Sequence, residues 1–83
     1  MEKRIGFVGI IIKDRLRQAE KVNKILTEYG DIIAGRMGLP YREKNCSVIT
    51  LIIDATTDEL GALTGRLGTV EGISVKSGLG KKS

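Results

Sequence analysis

The sequence predicts an α+β sandwich: a four-stranded antiparallel sheet with two helices packed on one of its faces. Three observations lead there. First, Ile5–Ile12 and Val48–Ile53 are apolar on both sides of an extended strand. Ile5, Phe7 and Ile11 point one way and Val8, Ile10 and Ile12 the other; Ile49, Leu51 and Ile53 alternate with Val48 and Ile52 in the same manner. Strands of this kind are normally covered on both faces. Second, only two stretches have helical periodicity, enough to cover one face of a small sheet. Third, the elements follow the order βαββαβ, in which the first and third strands occupy the centre of the sheet and the other two its edges.

Taken in order, Ile5–Ile12 is the first strand. Asp14 is placed to cap a helix that runs to Tyr29, with Gly30 as the residue that ends it. Leu16, Ala19, Val22, Leu26 and Tyr29 form its apolar stripe, while Arg17, Lys21, Lys24 and Glu28 lie on the wet side. Asp31–Met37 reads as an edge strand with a charge inside it. Gly38-Leu39-Pro40 and Tyr41–Asn45 then form a long polar hairpin loop, and Cys46–Asp54 is the third strand. Thr56-Thr57-Asp58-Glu59 has the spelling of a capping box for a second helix, which continues to Leu67. Gly72–Ser77 is a short fourth strand, apolar on one side through Ile73 and Val75. Right-handed crossovers suggest that the two central strands run parallel. This is the ferredoxin-like order. The 83 residues make one domain, 1–83, with 78–83 expected to be a flexible tail.

Composition narrows the function. A net charge of +4 permits anionic ligands or nucleic acid without requiring either. One cysteine, Cys46, fits a reducing cytoplasm and excludes an internal disulfide. The absence of histidine removes the commonest metal ligand and general base, so neither a metal, a cofactor nor a catalytic residue is expected. The charges at Lys13, Asp14 and Arg15 end the first apolar run before it could serve as a signal sequence or a membrane span.

Two kinds of candidate site remain. With helices on one face only, the uncovered face calls for a partner, and burial of each large aliphatic side chain there contributes about 1.5–3 kcal/mol. The expected partner is another copy of the chain, giving a dimer or tetramer, with Val8, Ile10, Val48 and Ile52 as contact residues. Gly61 and Gly65, with Gly68, share one face of the second helix. They fit either a close helix contact with another subunit or tight packing on the chain's own sheet. The other candidate is an anion site at the hairpin, where Arg36 and Arg42 flank Gly38, joined by Asp14 at the first strand–helix turn. Solvated arginines, or ion pairs with Glu43 or Asp31 of another subunit, account for the same residues. Gly35-Arg36-Met37-Gly38 has the GXXG spelling of an RNA-binding loop but ends a strand instead of joining two helices. The alternative of a basic nucleic-acid-binding domain lacks an aromatic platform: the chain has three aromatic residues, and only Phe7 falls on a central strand.

Gly35-Arg36-Met37-Gly38-Leu39-Pro40-Tyr41-Arg42-Glu43 and Thr57-Asp58-Glu59-Leu60-Gly61-Ala62-Leu63-Thr64-Gly65-Arg66-Leu67-Gly68, with the closing Gly72-Ile73-Ser74-Val75-Lys76, resemble the family of iron-only hydrogenase system regulators. The resemblance implies an ACT-like fold, similar to the ligand-sensing domain of the nickel-responsive repressor, that assembles through sheet faces and edges. It implies a regulatory domain, not an enzyme, with a small anionic ligand or a protein as further partner. Two departures stand out. Without histidine the repressor's nickel site cannot form, and a first strand so close to Met1 leaves no room for a DNA-binding arm. Lys13-Asp14-Arg15 also replaces the glycine-bearing turn that holds amino acids in ACT domains.

Overall fold

The computed structural model describes residues 2–13 and 16–81. Strands β1 (Arg4–Lys13), β2 (Ile33–Tyr41), β3 (Cys46–Ala55) and β4 (Ile73–Leu79) form one sheet in the order β2-β3-β1-β4. Helices α1 (Leu16–Glu28) and α2 (Thr57–Leu67) follow β1 and β3. All three neighbouring pairs are antiparallel. The central pair β1–β3 is therefore antiparallel, not parallel as expected. Each helical crossover keeps strand direction, from β1 to β2 and from β3 to β4, and the β2–β3 hairpin between them reverses it.

The core lies between the helices and one face of the sheet. Val8, Ile10 and Ile12 of β1 and Leu51, Ile53 and Ala55 of β3 are buried against Val22, Ile25 and Leu26 of α1 and Leu63 and Leu67 of α2. Ile25, which the expected stripe omitted, is buried, whereas Leu16 at the start of α1 is largely exposed. Asp14, the expected cap of α1, lies outside the described residues.

Several boundaries differ from expectation for identifiable reasons. Gly30 does not adopt a left-handed conformation to close α1. The chain instead tightens into a 3₁₀ turn over Gly30–Ile32, with the Ile32 amide donating to the Tyr29 carbonyl at 3.2 Å. Strand β2 begins after that turn, carries a bulge between Ile33 and Gly35, and continues through Gly38-Leu39-Pro40 to Tyr41. An edge strand accommodates proline because the missing amide need only face outward. The hairpin is correspondingly short: Arg42–Lys44 form a 3₁₀ turn that Asn45 closes with φ 55°. Strand β4 extends through Gly78 and Leu79, and the Gly80 amide donates to the Ile5 carbonyl at 2.7 Å, so the first two residues of the expected tail belong to the strand.

The start of α2 is as the sequence predicts. The Glu59 amide donates to the Thr56 hydroxyl at 3.1 Å and the Thr56 amide donates to the Glu59 carboxylate at 2.9 Å, a complete capping box. The α2–β4 turn depends on Gly72, whose φ is +78°, with the Gln18 side-chain amide packed against its Cα.

Candidate functional site

The sheet face opposite the helices is apolar and bare. Residues opposite one another in an antiparallel ladder share a face. Phe7 pairs with Ile52 and Ile11 with Val48; Leu39 pairs with Val48, Met37 with Thr50 and Tyr41 with Cys46. Of the eight large hydrophobic residues exposed among the described residues, seven (Ile5, Phe7, Ile11, Met37, Leu39, Tyr41 and Ile52) lie on this face. The eighth is Leu16. Asp54, Thr50 and Lys76 supply polar groups on the same surface.

The expected contact residues divide between the two faces. Ile52, 54% exposed, and half-buried Val48 lie on the open face. Val8 and Ile10 do not: both are 0% exposed beneath the helices, so they are core residues and cannot be contact residues of the open face. The antiparallel register explains the correction, because it sets Val8 opposite Leu51 and Ile10 opposite Ile49. A signal for this was present in β4. Its one apolar side, Ile73 and Val75, has to face the core, and it pairs with Ile12 and Ile10. The open-face residues of β1 and β2 are the alternate set, Ile5, Phe7 and Ile11 with Met37, Leu39 and Tyr41.

At the middle of the open face, between Phe7 and Ile11, stands Gly9. A Cβ there would meet only the Lys76 carbonyl oxygen, at 3.9 Å. The result is a shallow dip flanked by two large apolar side chains. Gly61 and Gly65 also have open space above them, with no atom within 4 Å of an added Cβ. They are therefore not packed on the chain's own sheet, which removes one of the two readings of that glycine series.

The two arginines do not converge. Arg36 and Gly38 sit opposite Leu51 and Ile49, on the helix-covered side of β2. The Arg36 guanidinium donates to the Asn23 side-chain oxygen of α1 at 2.8 Å. Together they rim a cleft of about 210 Å³ whose walls include Ile12, Ala19, Gly38 and Ile49. Arg42 belongs to a second cleft of about 350 Å³ at the hairpin, beside Tyr41, Asn45 and Cys46. The two clefts share Pro40 and Ser47. Asp14, the fourth expected member, lies outside the described residues. Arg36 has a neutral acceptor and no carboxylate within ion-pair distance among the described residues. A small anion at that rim would compete with Asn23 for the guanidinium.

The electrostatics elsewhere are structural. The backbone amide of Thr56 holds the Glu59 carboxylate below its usual range. The hydrogen bond to Glu28, at 2.7 Å, raises the already high pKa of Arg66 and ties the ends of the two helices together. Among the described residues no group of three or more acidic or sulfur side chains is placed to hold a metal ion. No helix among them is long and apolar enough to cross a membrane.

The family described as "TM1266-like: Iron-only hydrogenase system regulator, putative" matches residues 4–77. The structure of the uncharacterized protein TM1266 from Thermotoga maritima is 36% identical and superposes with a TM-score of 0.92, covering 96% of this chain and 100% of that one. The ACT domain of a GTP pyrophosphokinase from Chlorobium tepidum is 17% identical with a TM-score of 0.75, over 90% of this chain and 97% of that domain. The C-terminal domain of the MgtC protein of Mycobacterium tuberculosis is 16% identical with a TM-score of 0.73, over 94% and 88%. The last two show a shared fold, and the ACT domain places it among ferredoxin-like ACT folds. Among curated proteins none matches the chain.

Proposed function

The chain belongs to the TM1266-like iron-only hydrogenase system regulator family, and from that premise we propose that it is a regulatory domain, not a catalytic one, that works as an assembly of identical subunits joined through the open sheet face. The observation that carries this reading is the concentration of exposed apolar side chains on one surface. Seven large exposed hydrophobic residues, together with half-buried Val48, occupy the face that no helix covers. Monomeric proteins rarely leave a contiguous patch of this kind wet. A second copy supplies a surface of the same chemistry, and a two-fold interface needs nothing more than self-complementarity. The family's description and the ACT-domain likeness support the regulatory reading. In this picture the cleft at Arg36 takes a small anionic ligand.

Sedimentation equilibrium across the micromolar range tests the assembly. The expected result is a dimer or tetramer that Ile52→Glu converts to a folded monomer, because that carboxylate would have to be buried in the interface. A wild-type chain that remains monomeric throughout the range, with unchanged circular dichroism, rejects the reading.

A further inference from the structure

The outer surface of the helical layer carries a groove that the reading above does not use. Two adjoining clefts, of about 510 and 230 Å³, lie between α1 and the segment from the end of α2 to the start of β4. They share Lys21, Thr69 and Val70, so they form one continuous groove. Buried Ile25 and Val70 form its apolar floor. Arg17, Lys21 and Lys24 stand along one wall, and Arg66 and Thr69 on the other.

The charge of this groove is one-sided. Its lining holds four cations, Arg17, Lys21, Lys24 and Arg66, against one acid, Glu71, a local balance of +3. Glu28 engages Arg66 alone. Arg17, Lys21 and Lys24 form no ion pair among the described residues, although Glu20 stands four residues before Lys24. Three cations on one helix face, with no ion pair among the described residues, repel one another, which costs stability unless an anion lies among them. The groove is also held open at both ends. The Gln18 amide donates to the Glu71 carbonyl at 2.5 Å, and the Arg66–Glu28 pair joins the two helices at the other end. These two contacts link the walls across the groove, which lowers the ordering cost of binding.

From Arg17 to Lys24 the helix rises about 10 Å. That distance is too long for one phosphate and suits a short chain of linked phosphates lying along α1. We infer that the groove between α1 and the α2–β4 turn is a binding site for a small polyphosphate anion, with Arg17, Lys21 and Lys24 contacting the phosphate oxygens. Free polyphosphate and the phosphate chain of a nucleotide present the same chemistry. An apolar floor at Ile25 and Val70 gives the nucleotide a second contact.

Titration of the full chain with inorganic tripolyphosphate, followed by backbone amide NMR, tests the site. Saturable shifts confined to residues 17–25 and 66–72 are expected, and Lys21→Gln/Lys24→Gln should weaken binding at least about tenfold. The control Lys44→Gln/Lys81→Gln removes the same charge elsewhere and should leave affinity within about twofold. A nucleoside triphosphate titrated in parallel identifies the source: equal affinity means that only the phosphate chain is read, tighter binding that the floor contributes. Shifts centred on Arg36 or Arg42, or equal loss in the control, overturn the inference. So does a single-stranded oligonucleotide that binds through Lys21 and Lys24 when tripolyphosphate does not saturate. Because the groove lies on the helical layer, a monomeric result by sedimentation leaves this test intact.

Discussion

The Phe7 ring packs against Gly78. The two residues are direct partners across β1 and β4, and ring carbons Cε1 and Cζ come within 3.1 and 3.3 Å of where a Gly78 Cβ would stand. The glycine leaves the room that the aromatic ring takes up beside β4. The arrangement connects a strand glycine, a poor β-former by itself, to the surface on which assembly is proposed to depend.

Gly78→Val is therefore expected to lift the Phe7 ring and roughen the open face while leaving the fold in place, since valine suits a strand. Light scattering at fixed concentration should show a smaller mean mass than wild type, with a melting temperature that is little changed. An unchanged mass would separate the ring from the interface.

Adjacent residues of β3 should respond in opposite ways. Leu51 is fully buried beneath the helices, and Ile52 is 54% exposed on the other side. Leu51→Ala should cost about 2–5 kcal/mol of unfolding free energy through lost burial and a cavity. Ile52→Ser should leave the unfolding free energy of the monomer within about 0.5 kcal/mol and weaken association. Urea unfolding at low and high protein concentration distinguishes the two effects. A large loss at Ile52 in the monomer would reverse the assignment of the faces.

Two glycines of β1 should also differ. A Cβ on Gly6 would collide with the Gly78 carbonyl and lie 3.0 Å from the Leu79 Cα, so neighbouring backbone would have to move. A Cβ on Gly9 would meet nothing closer than 3.9 Å. Gly6→Ala is expected to destabilise by about 1–3 kcal/mol. Gly9→Ala should be neutral or stabilising by up to about 1 kcal/mol in the monomer, with any penalty confined to association. Denaturant midpoints of both variants, measured at one concentration below the association range, give the comparison.

The capping box supplies a pH dependence. The Thr56 amide lowers the Glu59 pKa, burial opposes it, and Lys3 at 3.8 Å and the Thr56 side chain add to the lowering. The folded value therefore lies below the unfolded one. The contribution is fully present above the ordinary value of 4.5 and is lost as pH falls through the lower, folded value. Thermal melts from neutral pH into acid should show a steeper fall for wild type than for Glu59→Gln. Thr56→Ala should cost about 1 kcal/mol at neutral pH. Parallel curves for wild type and Glu59→Gln would rule out the carboxylate as the source.

Much of the fold was legible along the chain. Ile5–Ile12 and Val48–Ile53 identified themselves as central strands because they are apolar on both sides. The Thr56–Glu59 spelling located the start of α2, since a capping box is a local device whose partners lie three residues apart. Local patterning failed where a long-range pairing decided the outcome. Gly38-Leu39-Pro40 looks like loop by composition, yet it is strand because β3 offers Ile49, Val48 and Ser47 as ladder partners. Gly78 and Leu79 likewise become strand through Phe7 and Gly6.

The same division holds for the candidate sites. By itself the sequence determined that two strands would need cover on both sides while its two helices could cover only one, and it determined the family through the blocks around Gly35 and Thr57. Only the tertiary structure decided which side was left bare. Alternation with a period of two defines two faces but does not say which one the helices take. The antiparallel register did, by aligning Val8 and Ile10 with Leu51 and Ile49 under the helices and Phe7 and Ile11 with Ile52 and Val48 in the open. The arginines show the same limit: Arg36 and Arg42 are close in sequence, but one lies on a strand facing α1 and the other on the hairpin, and they line different clefts because the strand between them continues through Pro40.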